Sequence, residues 1–224
     1  MILRSILLFC LLSILIAGNS RAALVSNLSE TPDGGSGGVG VNFGGFIELR
    51  SNSFTTGSNP LGYNLEAITL RMSDAFDFSG TPSGFSLELF SVPDSVPETP
   101  LLTFNGDNNP AVAGDYTYTT PGFFLTPNTT YAWVASAPDS PIDTFYLIRS
   151  TSSPNESSSD DWLIADQSLI LSSFSGTWQS SGSLSAHQFS VSATAIPEPS
   201  TVGFLTMVSV ALVSRTRSRR RPLR

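Results

Sequence analysis

Few side chains in this chain of 224 residues are suited to acid–base or nucleophilic catalysis. His187 is the only histidine and Cys10 is the only cysteine. A Ser-His-Asp triad would have to use His187, and a histidine-rich metal site is excluded. Because His187 opens the last predicted strand of the domain, we interpret it as a structural residue. We predict no catalytic residues and no enzymatic activity.

Two pairs of acidic residues lie in predicted loops. Asp139 and Asp143 are four positions apart, and Asp160 and Asp161 precede Trp162. Glycoside hydrolysis needs two carboxyl groups about 5 to 9.5 Å apart, so such pairs make a glycoside hydrolase a distant third hypothesis. Carboxylate oxygens in a loop are also ligands that calcium prefers. We interpret both pairs as solvated and keep calcium at Asp160 and Asp161 as the one cofactor hypothesis.

Two tryptophans offer ring faces that could stack on a sugar. Trp162 follows two aspartates, and Trp178 lies in a turn-like sequence of serine, glycine and threonine. Aromatic rings with polar neighbours suit partly polar ligands such as an extracellular polysaccharide. The alternative is that these rings close the core, which is also how we interpret Trp133 in its alternating strand. A carbohydrate-binding module is therefore the second functional hypothesis.

The C-terminal 29 residues, 196–224, have three parts in a fixed order. Pro197, Glu198 and Pro199 come first, and an apolar run from Val202 to Val213 follows. A basic tail comes last, made of Arg215, Arg217, Arg219, Arg220, Arg221 and Arg224. The prolines end regular structure, the apolar run partitions into a bilayer, and the arginines resist crossing it.

This order resembles the PEP-CTERM sorting signal of bacterial surface proteins. In that family an exosortase-type membrane protease acts on the signal. The resemblance implies that Pro197, Glu198 and Pro199 form the recognition element. It also implies that the apolar run holds the chain in the membrane while the arginines keep the C-terminus cytoplasmic.

The N-terminus predicts export. Arg4 precedes an apolar stretch from Ile6 to Ala17, and small residues at Ser20 and Ala22 suit signal peptidase. We predict a signal peptide over residues 1–22, cleaved after Ala22. Because Cys10 lies inside it, the processed chain would contain no thiol and no disulfide.

Charge is unevenly distributed along the chain. All 18 acidic residues lie between Glu30 and Glu198, and that span contains only Arg50, Arg71 and Arg149 as bases, a formal charge of −15. Such a surface repels nucleic acid and anionic lipid. We therefore predict no nucleic-acid partner and interpret the acidic body as an adaptation to solubility outside the cell.

The remaining sequence has the composition of strands and turns. Residues 85–90, Phe-Ser-Leu-Glu-Leu-Phe, alternate between apolar and polar side chains, as a strand with one buried face does. No sustained helical period occurs outside the two terminal segments. Nine strands are predicted, over residues 39–50, 67–72, 85–92, 101–104, 116–119, 130–137, 144–150, 169–174 and 188–195. The pattern predicts an all-β fold, an antiparallel β-sandwich of Greek-key or jelly-roll type.

Three segments of the body form a recognisable series: residues 53–58, residues 63–73 and residues 122–134. They resemble the choice-of-anchor R domain, a bacterial surface domain found with several C-terminal anchoring signals. The similarity covers about residues 43–195 and implies a fold, with no catalytic residues. Four regions are thus expected: a signal peptide (1–22), a glycine-rich leader (23–42), a β-sandwich (43–195) and a sorting segment (196–224).

Together these features predict a non-enzymatic protein that is exported, held briefly in the inner membrane, and then placed on the cell surface or in the extracellular matrix. The expected partners are signal peptidase, an exosortase-type membrane protease and, under the second hypothesis, an extracellular polysaccharide.

Overall fold

The computed structural model describes residues 22–78, 80–153, 156–159, 161–181 and 185–197. Within these ranges the chain forms fifteen β-strands and no helix. The strands are β1 (Ala22–Ser26), β2 (Ser36–Val41), β3 (Ile47–Thr55), β4 (Tyr63–Asp77), β5 (Ser86–Ser91), β6 (Pro100–Thr103), β7 (Gly114–Leu125), β8 (Thr130–Ser136), β9 (Thr144–Thr151), β10 (Ser157–Ser158), β11 (Leu163–Ile164), β12 (Leu169–Ser172), β13 (Trp178–Ser180), β14 (Ala186–His187) and β15 (Phe189–Ala195).

All the strands join one large sheet, and every pairing between named strands is antiparallel. The main order is β10-β1-β15-β4-β9-β2-β3-β8-β5-β6; β7 pairs with β4, β14 with β9, β11 and β12 with β3, and β13 with β12. The all-β prediction is confirmed. In the part of the chain that the structure describes, no helix is long and apolar enough to span a membrane.

The longest strand, β4, organises the sheet. Along its fifteen residues it pairs with β7 on one edge, and with β15 and then β9 on the other. Met72 is paired with Gly114 of β7 and with Ile148 of β9, which shows that those two strands lie on opposite edges. Register shifts at two places along β4, at Glu66 and between Ser73 and Phe76, mark bulges, which increase local twist.

The sheet curls so that strands distant in its order pack together. The ring of Trp133 on β8 lies 5.5 Å from the ring of Phe189 on β15, although β4, β9, β2 and β3 separate these strands. Phe85, beside β5, likewise packs edge-on against Tyr146 of β9, at 5.2 Å between ring centroids. These contacts enclose a continuous apolar core.

The alternation seen in the sequence correctly predicts which side chains enter this core. In β5, Leu87 and Leu89 are buried, whereas Ser86 and Glu88 are partly exposed. Phe189, Val191 and Ala193 repeat the pattern in β15. A period of two in the sequence therefore identifies the buried face of each strand.

The glycine-rich segment does not behave as the predicted leader. Ser36–Val41 forms β2, which pairs with β9 along its whole length, and four of the five residues of β1 lie within the expected leader as well. A turn from Asn42 to Phe46 then separates β2 from β3, so the single strand predicted over residues 39–50 is wrong. The glycines allow close approach: a side chain at Gly40 would overlap the backbone oxygen of Thr144.

The two ends of the folded unit, Arg21–Ile196, differ. Chain entry and exit lie together, because Ala22 pairs with Thr194 and the amide of Ile196 donates to Gly62. We call this the terminal end. β4 begins at this end and is fifteen residues long, so at about 3.3 Å per residue its other end lies about 45 Å away. We call it the distal end; its described loop residues are 42–46, 78, 80–85, 137–143 and 173–177.

We predict that Gly40→Ala destabilises the protein by about 1–3 kcal/mol, because the added methyl group forces β2 away from β9. Gly114→Ala is the matched control, since its nearest neighbour would be a Tyr116 ring carbon at 3.8 Å, and a change within about 0.5 kcal/mol is expected. Urea unfolding measures both values. A neutral effect of Gly40→Ala would instead favour a flexible leader.

Candidate functional site

The single histidine lies at the centre of a buried polar cluster. His187 has no exposed surface, and its Nδ1 lies 3.3 Å from the hydroxyl of Ser150. Its backbone amide donates to Asn52 Oδ1 at 2.8 Å, and its carbonyl accepts from Asn27 Nδ2 at 2.9 Å. The imidazole packs against the ring of Trp133 at 5.5 Å. The cluster is thus enclosed by β3, β8, β9 and the chain directly after β1.

The glycines of β2 cover this histidine on one side. A side chain at Gly37 would overlap the imidazole ring, which shows how closely the backbone of β2 approaches His187. Arg50 lies beside it, donating from Nε to the carbonyl of Gly38 at 2.9 Å and pairing with Glu48 at 3.4 Å. Because β2 covers the imidazole of His187, the ring has no face that a substrate could reach.

The electrostatic environment keeps His187 neutral. Burial and, to a smaller extent, the positive charge of Arg50 together lower the pKa of His187 to about 3. No carboxylate bonds to the imidazole among the residues that the structure describes. The arrangement agrees with the structural interpretation of this residue, and the third member of a Ser-His-Asp triad is missing from its described neighbours.

The hypothesis that two tryptophans form an exposed stacking pair is wrong for one of them. Trp162 is fully buried, stacked on Phe54 at 5.9 Å and edge-on to Tyr63 at 4.9 Å. Its ring therefore belongs to the core and offers no face to a sugar. Trp178 is half-buried on β13, opposite Leu171 of β12.

The predicted acidic pairs lie in loops. Asp161 is exposed, with a backbone φ of 62°, and Asp160 falls outside the described residues. Asp139 and Asp143 lie in the same distal-end loop between β8 and β9. Within the described ranges no cluster of three or more histidine, cysteine, aspartate or glutamate residues could hold a metal. Calcium at Asp160 and Asp161 stays a prediction.

The sorting motif is described only at its first residue. Pro197 is exposed immediately after Ile196, whose amide hydrogen bond to Gly62 is the last backbone bond of the folded unit. Glu198, Pro199 and the basic tail (Arg215, Arg217, Arg219, Arg220, Arg221 and Arg224) lie outside the described residues, as does nearly all of the expected signal peptide.

The three arginines of the acidic body have different environments. Arg50 is paired with Glu48 in the interior cluster. Arg71 binds both carboxylate oxygens of Asp115, at 2.7 and 2.9 Å, which raises the pKa of Arg71 and lowers that of Asp115. Arg149 lines a cleft of about 340 Å³ together with Arg71. All three lie outside the distal-end loops, where the described charges are acidic.

The sequence analysis missed a group of exposed aromatic side chains. Six phenylalanines are exposed among the described residues, and five of them lie at or beside the distal end: Phe43, Phe46, Phe76, Phe78 and Phe174. Each lies near the turn-forming residues glycine, serine, asparagine or aspartate. Large apolar side chains inside turn sequences are a usable sign of surface exposure, because turns run over the surface.

The terminal end carries an open groove instead. It has a volume of about 560 Å³ and lies between the β5–β6 and β7–β8 connections. Phe123, Phe124, Leu101 and Tyr131 line it together with threonines. Its charged lining residue is Glu98, so the described lining offers no pair of acids for hydrolysis.

Comparisons with protein families, with curated proteins and with solved structures found no match to this chain. The resemblances to the PEP-CTERM signal and to the choice-of-anchor R domain therefore stay predictions.

We predict that Trp162→Ala costs about 3–5 kcal/mol of unfolding free energy, because it leaves a cavity between Phe54 and Tyr63. Trp178→Ala, at a half-buried position, is the matched control and should cost about 1 kcal/mol or less. Urea unfolding followed by far-ultraviolet dichroism measures both. Equal, small losses would contradict the burial of Trp162.

The buried His187 predicts a specific pH dependence. Its folded pKa of about 3 lies below the value of about 6.5 in an unfolded chain, so between these values the unfolded state binds more protons. Stability should therefore fall as the pH decreases from about 6.5, by up to about 1.4 kcal/mol per pH unit from this residue.

Unfolding at pH 7 and pH 5, above the range in which most carboxylates titrate, isolates the contribution of His187. The variant His187→Gln, which cannot titrate, should lose less stability than the wild type between these two pH values. Equal losses in both proteins would mean that His187 accepts a proton in the folded state.

Proposed function

We propose that this protein is a non-enzymatic, exported component of the cell envelope or extracellular matrix. Signal peptidase removes its N-terminal segment, and an exosortase-type membrane protease acts at its C-terminus. One observation carries the proposal: Pro197, Glu198 and Pro199, the apolar run and the arginines follow directly after Ile196, the last residue of the folded unit. A processing signal needs such a position, because a protease acts on extended chain outside a packed domain.

The course of the chain supports processing at both ends. Ala22 lies at the first position of β1, so cleavage after it removes one residue from that strand and leaves four of its pairings with β15. Ile196 and Ala22 lie at the same terminal end, close to Gly62 and Thr194. Both cuts would therefore spare the core and leave the distal end unchanged.

The curled sheet supports the finer proposal of a β-sandwich, of Greek-key or jelly-roll type. β3 pairs with β2 and with β8 on the same edge, at successive parts of its length. Strands that share one edge in this way diverge into separate layers, and Trp133 and Phe189 would fill the space between them. A rigid body of this kind suits a structural or spacer role.

The carbohydrate-binding alternative loses its main support. It rested on exposed ring faces at Trp162 and Trp178, and Trp162 is stacked within the core. Trp178 alone, half-buried on the three-residue strand β13, offers a smaller surface than a sugar-binding platform uses.

Replacing Pro197, Glu198 and Pro199 with alanine should leave export intact and cause an unprocessed, membrane-retained form to accumulate. Cell fractionation and the intact mass of the protein in each fraction measure this. The matched control changes Pro93 and Asp94, exposed in the loop between β5 and β6, to alanine and should be processed normally. An unchanged mature mass in the first variant would reject the proposed signal.

A further inference from the structure

We propose that the distal end is a self-association surface, through which two copies of this chain meet end to end. The inference is independent of the sorting proposal, because it concerns only the folded unit. It starts from the five exposed phenylalanines that the core does not use. Phe43, Phe78 and Phe174 expose 83, 75 and 76 % of their surface, and Phe76 and Phe46 expose 46 and 36 %.

Local hydrogen bonds hold these side chains on ordered turns. Asn42 caps the 42–46 turn, accepting from the amides of Gly44 and Phe46 at 3.0 Å each. Phe46 packs edge-on against Phe174 of the neighbouring β12–β13 hairpin, at 4.9 Å between ring centroids. A preorganised aromatic pair binds a partner at a lower entropic cost than flexible side chains do.

The exposed area is large enough for a specific interface. At roughly 200 Å² for each ring, the exposed parts of the five side chains amount to roughly 600 Å². Stable interfaces bury at least about 600 Å² on each partner, and typical monomers rarely expose a larger apolar patch. The rings alone therefore reach the lower limit for a dimer.

Charge excludes anionic occupants that bring no apolar area to this surface. The distal loops contain no arginine, and Asp77, Asp139 and Asp143 lie at or beside them. An anionic lipid, an acidic polysaccharide or a nucleic acid would meet like charge there. A second copy carries the same acidic residues, but it also brings the same five rings, and an isologous contact places these apolar areas of equal size against each other.

The location fits an end-to-end contact. The chain enters the folded unit at Ala22 and leaves it at Ile196, both at the terminal end, so the distal end consists of loops between strands. Because two acidic copies repel each other, the dimer should strengthen as rising ionic strength screens their charges.

Sedimentation velocity and small-angle X-ray scattering on the protein purified from its host test this proposal. We expect a concentration-dependent dimer whose longest dimension is roughly twice that of the monomer, and which tightens with salt. The double variant Phe43→Ser/Phe174→Ser should raise the dimer dissociation constant at least about tenfold. Melting temperatures of the variants check that they fold.

Phe124→Ser is the matched control, because Phe124 is 54 % exposed but lies at the terminal end, opposite Asn64 of β4. It should leave the dissociation constant unchanged. A protein that stays monomeric at every concentration and salt, or a dimer that Phe124→Ser weakens while the distal variant does not, would overturn the proposal. Binding of the monomer to phosphatidylcholine vesicles through Phe43 and Phe174 would overturn it in favour of a lipid surface.

Discussion

The closure of the core depends on two buried asparagines, which bond the segment from His187 to Phe189 to the chain after β1 on one side and, on the other, to β3, which the strand order separates from β15. Asn27, after β1, donates to the carbonyl of His187 and accepts from the amide of Phe189 at 2.7 Å. Asn52 of β3 accepts from the amide of His187 and donates to Ala165. The segment from His187 to Phe189 is thereby bonded on both sides. Buried amides fully used in this way are worth more than exposed ones, because losing one partner leaves the other unpaired in a dry interior.

The strands that alternate were predictable from sequence, and the glycine-rich strand was not. Leu87 and Leu89 of β5 follow the period of two, which directly encodes a sheet with one buried face. β2 shows no alternation of apolar and polar side chains, because Gly37, Gly38 and Gly40 have no side chains. Glycine tracts occur both in flexible linkers and where backbones approach closely. Only the positions of His187 and Thr144, more than a hundred residues away in sequence, distinguish the two cases here.

The candidate site was harder to predict, because exposure is a property of the fold. Trp162 follows two aspartates, which suggested an exposed ring, yet β11 pairs with β3 and carries it onto Phe54. The distal phenylalanines are the opposite case. Apolar residues near strand ends are usually expected to be buried in the core, but these side chains are exposed. Phe46 and Phe174 belong to connections that project beyond the last strand pairs. Local composition identified the turns but could not determine which turns share one end of the sheet.

The contrast between the two ends follows from the strand arrangement. Because β1 and β15 are paired and antiparallel, the chain enters and leaves at one end. The distal end therefore consists of loops that join one strand to the next, and the side chains of these loops do not have to pack into the core. Exposed aromatic rings in such loops lower solubility, and a formal charge of −15 between Glu30 and Glu198 opposes that by mutual repulsion. The acidic composition and the aromatic distal end are thus best understood together: charge keeps copies apart at low ionic strength, and apolar contact becomes effective only where that charge is screened.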